Sequence, residues 1–177
     1  QLKASKRGSM NKLALGVIGI LALPAGANAT VVFKDWITNE GNSGNYIVTI
    51  EDLDSGVFKF TVDVNPWNAE PLGLFIDLGA KTMSNLSTGT SNLSDVSSSP
   101  TTGKGVSIYA LDTSSNDCGS GCNLDGLNPT LIDPDSEWEM VFRLGAQGYD
   151  GVSKFMWTVS GMTAIEESDF GIAGIRA

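Results

Sequence analysis

The sequence contains no histidine. That removes the usual general base near neutral pH and the commonest metal ligand, so neither a Ser-His-Asp nor a Cys-His catalytic arrangement can be built within this chain. Basic residues are scarce too, with 11 Lys and Arg against 20 Asp and Glu, for a formal charge of -9. Lys3, Lys6, Arg7 and Lys12 all fall in the first 29 residues, which hold no acid, so the remainder carries 7 basic against 20 acidic residues, or -13. Such a surface repels phosphates and anionic lipid heads, which argues against nucleic acid as a partner. Cysteine is limited to Cys118 and Cys122, separated by Gly119-Ser120-Gly121. In an oxidising compartment this pair is expected to form a disulfide, contributing about 2 kcal/mol or less because the loop it closes is so short. A zinc site is discounted, since two thiolates without histidine would need carboxylates to complete it. No segment sustains a 3.6-residue apolar period, so helices should be few and short.

What the sequence does have is alternation. In residues 46–79, Phe58, Phe60, Val62 and Val64 share one parity while Lys59, Thr61 and Asp63 take the other, the pattern of a half-buried strand. Tyr46, Val48 and Ile50 alternate in the same way, and Asp54-Ser55-Gly56 between the two runs supplies turn chemistry, which predicts a hairpin. Pro66 and Pro71 bracket a link before a third run carrying Leu74, Ile76 and Leu78. Further strands are expected over 30–36, 104–111, 138–144, 155–159 and 170–176, with 82–102 a polar Ser-, Thr- and Asn-rich surface loop that contains the sequons at Asn85 and Asn92. Trp138 and Trp157 fall on alternating faces and are expected in the core. About eight strands in a chain of this length predict an all-β, antiparallel two-sheet sandwich or jelly roll forming one domain over 30–177.

Residues 1–29 read as an upstream extension followed by a secretory signal peptide. Met10-Asn11-Lys12 gives the charged start, 13–23 the apolar stretch, and Ala27-Asn28-Ala29 an A-x-A site, placing cleavage between Ala29 and Thr30. The apolar stretch is shorter than the roughly 20 residues a membrane helix needs. The expectation is a secreted protein, extracellular or at the cell surface, with no membrane span after cleavage.

The polar insertion 112–137 is the most chemically suggestive stretch. Asp112, Asp117 and Asp125, with Asp133 and Asp135 beyond them, lie in a glycine-rich segment where oxygen ligands could converge on Ca²⁺, although the spacing is not that of an EF-hand. Trp67, in the turn Asn65-Pro66-Trp67-Asn68, is the candidate ligand platform. A paired-carboxylate glycosidase stays formally open, with Trp67 and Trp138 stacking on sugar. Twenty scattered acids will nevertheless place carboxylates side by side by chance, so no enzyme is expected and no catalytic residue is assigned.

The block Leu72-Gly73-Leu74-Phe75-Ile76-Asp77-Leu78-Gly79 and the closing Phe170-Gly171-Ile172-Ala173-Gly174-Ile175-Arg176, behind a signal peptide and a Trp-containing first strand, resemble secreted bacterial β-sandwich proteins of the PEP-CTERM type. The resemblance implies an exported protein associated with extracellular polysaccharide or the cell surface. The sorting tail of that family, a Pro-Glu-Pro motif with an apolar helix and a basic end, is not among these 177 residues. The expected chain is therefore either truncated or released without anchoring. Taken together, the expectation is a non-enzymatic extracellular structural or matrix protein, a homo-oligomer or filament built through strand edges. The alternative is a carbohydrate-binding module assisted by calcium.

Overall fold

The computed structural model describes the backbone of residues 13–20, and residues 29–38, 44–103, 105–124, 131, 136–146 and 151–177 in full. Among the described residues ten strands follow one another: β1 Leu13–Ile20, β2 Thr30–Thr38, β3 Tyr46–Asp52, β4 Val57–Val64, β5 Gly73–Asp77, β6 Leu93–Ser99, β7 Val106–Thr113, β8 Trp138–Leu144, β9 Lys154–Ser160 and β10 Ile172–Arg176. Among the described residues, one three-residue 3-10 turn, Glu167–Asp169, is the only helical element. Every strand pairing is antiparallel.

The hairpin of β3 and β4 forms as the alternation predicts. The register pairs Val48 with Val62 and Ile50 with Phe60, and every second residue of β4 is buried. Its turn holds Asp54, Ser55 and Gly56 at φ values of 72°, 58° and 73°, a left-handed run that Asp and Gly tolerate and most residues do not. The Asp52 carboxylate accepts the Asp54 N–H at 2.8 Å, and the Val57 N–H reaches the Asp54 carbonyl at 3.1 Å.

Strands β6-β9-β4-β3-β2 make one sheet and β10-β5-β8-β7 the other, with β1 running between β2 and β10. The two layers meet through aromatic rings. Phe60 of β4 stacks on Trp157 of β9 with centroids 5.4 Å apart and meets Phe142 of β8 at 5.2 Å, while Phe58 packs on Phe170 at 5.3 Å. This is the two-sheet sandwich expected from the alternation, and its main core is built by residues from both sheets. A second apolar cluster lies on the other face of β5 and β8. Phe75, Val141 and Trp138 meet Cys118, Cys122 and Leu124 there, so the insertion after β7 covers that face and β5 is buried on both sides. Trp138, expected in the core beside Trp157, belongs to this second cluster.

Two placements differ from the sequence reading. Residues 93–99, expected in a surface loop, form β6 on the edge of the larger sheet, pairing Leu93 with Val159 and Ser99 with Lys154. An edge strand with one solvated face and one free side needs no apolar alternation, so its Ser-rich sequence hides it. Leu13–Ile20, part of the 13–23 stretch read as the apolar region of a signal peptide, runs here as β1, pairing Ala14–Ile20 with β2 and Leu13–Gly16 with β10. Met10, Asn11, Lys12, Ala27 and Asn28 lie outside the described residues. Ala29 is described, and its carbonyl accepts the Asp52 N–H at 3.1 Å.

The ring contacts of Phe60 make it the residue whose truncation should cost most. Phe60→Ala removes contacts with Trp157, Phe142 and Phe170, and the expected loss is about 3–5 kcal/mol in a urea unfolding experiment.

Candidate functional site

The polar groups most deeply buried in the sandwich gather where β5 ends. Asp77 is fully buried and Glu139 nearly so. The register pairs Ile76 with Met140 across β5 and β8, so Asp77 stands opposite Glu139. On the other side of β8, Leu111 pairs with Met140 and Thr113 with Trp138, which brings Asp112 opposite Glu139 as well. Three acids thus lie in a row across three adjacent strands. Each accepts backbone N–H groups from the chain leaving β5. Glu139 Oε2 takes the Leu78 N–H, Asp77 Oδ1 takes the Gly79 N–H at 2.8 Å, and the two Asp112 oxygens lie 3.0 and 3.1 Å from the Met83 nitrogen. The link after β5 would otherwise leave those donors unpaired, and charge-assisted bonds from carboxylates are among the stronger ways to satisfy them. The left-handed φ of 43° at Asp112 accompanies this aim.

The disulfide forms as expected between Cys118 and Cys122 and is buried. The Cys118 N–H bonds the Cys122 carbonyl at 2.9 Å, and Asp117 pairs with Asn123 in an isolated bridge, so the cysteines close a miniature hairpin. Asn116 Oδ1 accepts the Trp138 indole N–H at 3.0 Å and fixes that hairpin to β8. At its outer side Asp117 Oδ1 accepts the Gly119 N–H at 2.9 Å and Oδ2 accepts the Tyr109 hydroxyl at 2.8 Å. The hydrogen bond to Asp117 raises the Tyr109 phenol above its usual pKa, and the same bond, with the Gly119 N–H, lowers the Asp117 carboxyl below the usual range.

Of the three calcium candidates, Asp112 and Asp117 are thus directed at separate partners, and Asp125 lies outside the described residues, as do Asp133 and Asp135. Among the described residues no group of three or more acids and cysteines is arranged to hold a metal ion. Trp67 stands 40% exposed. Its turn is pinned by Asn45, whose side-chain amide donates to the Pro66 carbonyl at 2.8 Å and whose N–H donates to Asn68 Oδ1 at 3.1 Å. Asn92 of the second sequon serves the fold. Its Oδ1 accepts the Ser87 N–H at 3.0 Å and its amide donates to the Ser160 carbonyl at 3.2 Å. Asp77 and Glu139 escaped the sequence reading because each sits in an apolar run, where alternation assigns an acid to the solvated face. The extra layer over that face is what buries them.

Two measurements follow from this geometry. A Cβ at Gly73 would lie 2.5 Å from Cys118 Sγ and 2.8 Å from Cys122 Sγ, so the start of β5 fits only because residue 73 lacks a side chain. Gly73→Ala should cost about 1–3 kcal/mol in the oxidised protein. The cost should shrink when Cys118→Ala and Cys122→Ala are also present, leaving only the 3.1 Å approach to the Cβ of residue 118, as read from paired denaturation curves. Asp117→Asn should bring Tyr109 back toward its ordinary titration, so phenolate absorbance in an alkaline titration appears at lower pH than in the parent. On the acid side the depressed carboxyl favours the folded state above its ordinary pKa. That contribution fades as pH falls through the lowered value.

Compared with known proteins, the chain matches no family model, no curated protein and no solved structure.

Proposed function

We propose that the chain from Thr30 onward is a secreted, non-enzymatic structural protein of the extracellular matrix or cell surface, and that it associates with further copies through its sheet edges. One observation carries this reading. The acids with most chemical promise, Asp77, Glu139 and Asp112, each accept a backbone N–H of the segment between Leu78 and Met83, so they serve rigidity. The disulfide hairpin works to the same end, covering the second face of β5 and β8. A scaffold of two sheets, strongly acidic outside, suits a building unit that must stay folded in an oxidising medium.

Trp67 favours a second reading. An indole 40% exposed in a pinned turn could offer part of its apolar face to a sugar ring, which is how a carbohydrate-binding module engages polysaccharide. Calcium would enter this reading through the insertion that contains Asp112, Asp117 and Asp125.

Static light scattering on the exported, purified chain separates the two. The structural reading expects the weight-average mass to rise with concentration. Growth that is further promoted by Ca²⁺ and reversed by chelator would assign a role to the acidic insertion. A monomer at every concentration overturns the structural reading, and a monomer whose tryptophan fluorescence responds to added polysaccharide supports the second.

A further inference from the structure

The segment that the sequence reads as a cleaved leader and the strand that closes the flank of the sandwich are the same residues, Leu13–Ile20. Once the chain is cut between Ala29 and Thr30, β2 has no neighbour on the side that β1 occupies. β2 is prepared for a particular replacement. Its sequence from Val31 to Thr38 reads VVFKDWIT. Laid antiparallel against a second copy of itself about a two-fold axis between Lys34 and Asp35, it sets Lys34 against Asp35, Phe33 against Trp36, Val32 against Ile37 and Val31 against Thr38. Charge meets opposite charge and large apolar residues meet each other.

The faces agree with this pairing. Phe33 and Trp36 are both buried toward the core, while Lys34 and Asp35 are both exposed. The register of β2 against β1 shifts at this same point, with Asp35 opposite Val17 and Phe33 opposite Ile18, so the local bulge sits at the centre of the symmetric pattern. Ile37, 56% exposed with β1 in place, would be covered by Val32 of the second copy. Loss of β1 also opens β10, over Ala173–Arg176. The two outermost edges, β6 and β7, are blunted. β6 carries a register break between Ser94 and Ser97 with Asp95 at a φ of 51°, and β7 carries one between Ile108 and Ala110 and is bridged by Gly89.

We infer that cleavage of the leader uncovers β2 as a self-complementary edge, and that the processed protein pairs through it, β2 against β2 of a second copy, in an isologous dimer. The inference rests on the structural reading above and names its seam.

The test uses the full chain with a protease site placed within 21–28, so that one preparation is measured before cutting and after cutting and removal of the released peptide by gel filtration. Sedimentation gives the dimer dissociation constant for the parent, Lys34→Asp, Asp35→Lys and the double exchange that carries both. The expected result is a monomer before cutting and a dimer after it. Each single change should weaken the dimer about tenfold, because the two-fold axis counts every like-charge pair twice, and the double exchange should restore it. Both residues are exposed, and circular dichroism of each variant verifies that the fold is kept. Association that is equal in all four proteins, or equal before cutting, overturns the seam while leaving the structural reading in place. Retention of the cut peptide also overturns it. A monomer in all preparations removes both.

Discussion

Phe60 against Phe142 is the contact on which this sandwich depends. It joins β4 in the middle of one sheet to β8 in the other, and the stacked Trp157 and the edge-on Phe170 widen it into a single aromatic block. Rings of this size hold two sheets at the roughly 10 Å that side-chain interdigitation requires, and they do so with few rotatable bonds. Once that spacing is set, the parity of every other residue on β4, β8 and β9 is decided. Lys59 and Asp63 must face outward, where register pairs them with Glu51 at 3.0 Å and Lys154 at 2.8 Å. Such exposed pairs add at most about 1 kcal/mol each, so they follow from the core and do not create it.

On the smaller sheet the same parity sends Phe75, Asp77, Glu139 and Val141 to the outer face, where a strand in a plain sandwich would meet water. Here the insertion with its disulfide hairpin lies over Phe75 and Val141 and makes a second, smaller core. Burial of the neighbouring carboxylates is then acceptable only because the chain turning away from β5 presents N–H groups to them. Packing and polar satisfaction are coupled at this end of the molecule. The insertion supplies the cover, and the link after β5 supplies the donors.

The parts legible in the sequence were those governed by local period and turn chemistry. The β3–β4 hairpin, β8 with its inward Met140, Phe142 and Leu144, and β9 with Phe155, Trp157 and Val159 all follow from alternation over a half-buried surface, whereas Trp138 joins the second cluster. The disulfide followed from spacing. β6 did not, because its order comes from the backbone of β9 and leaves no mark in side-chain polarity. The acid row did not either, because Asp77, Asp112 and Glu139 come from three strands distant in sequence, and only register brings them together. Asp112 and Asp117, read together from their nearness in the chain, bond different groups. Asp112 turns back toward Met83, and Asp117 turns out toward Tyr109.

The breaks in β6 and β7 set a valency. With β6 and β7 refusing further pairing, strand addition is left to β2 and β10, the two strands that β1 separates. Units that join through β2 alone would couple in twos and then stop, a closed pair of fixed stoichiometry and no growing fibre. A larger network would then need β10, the sheet faces or the loops, with the paired sandwich as the repeating block.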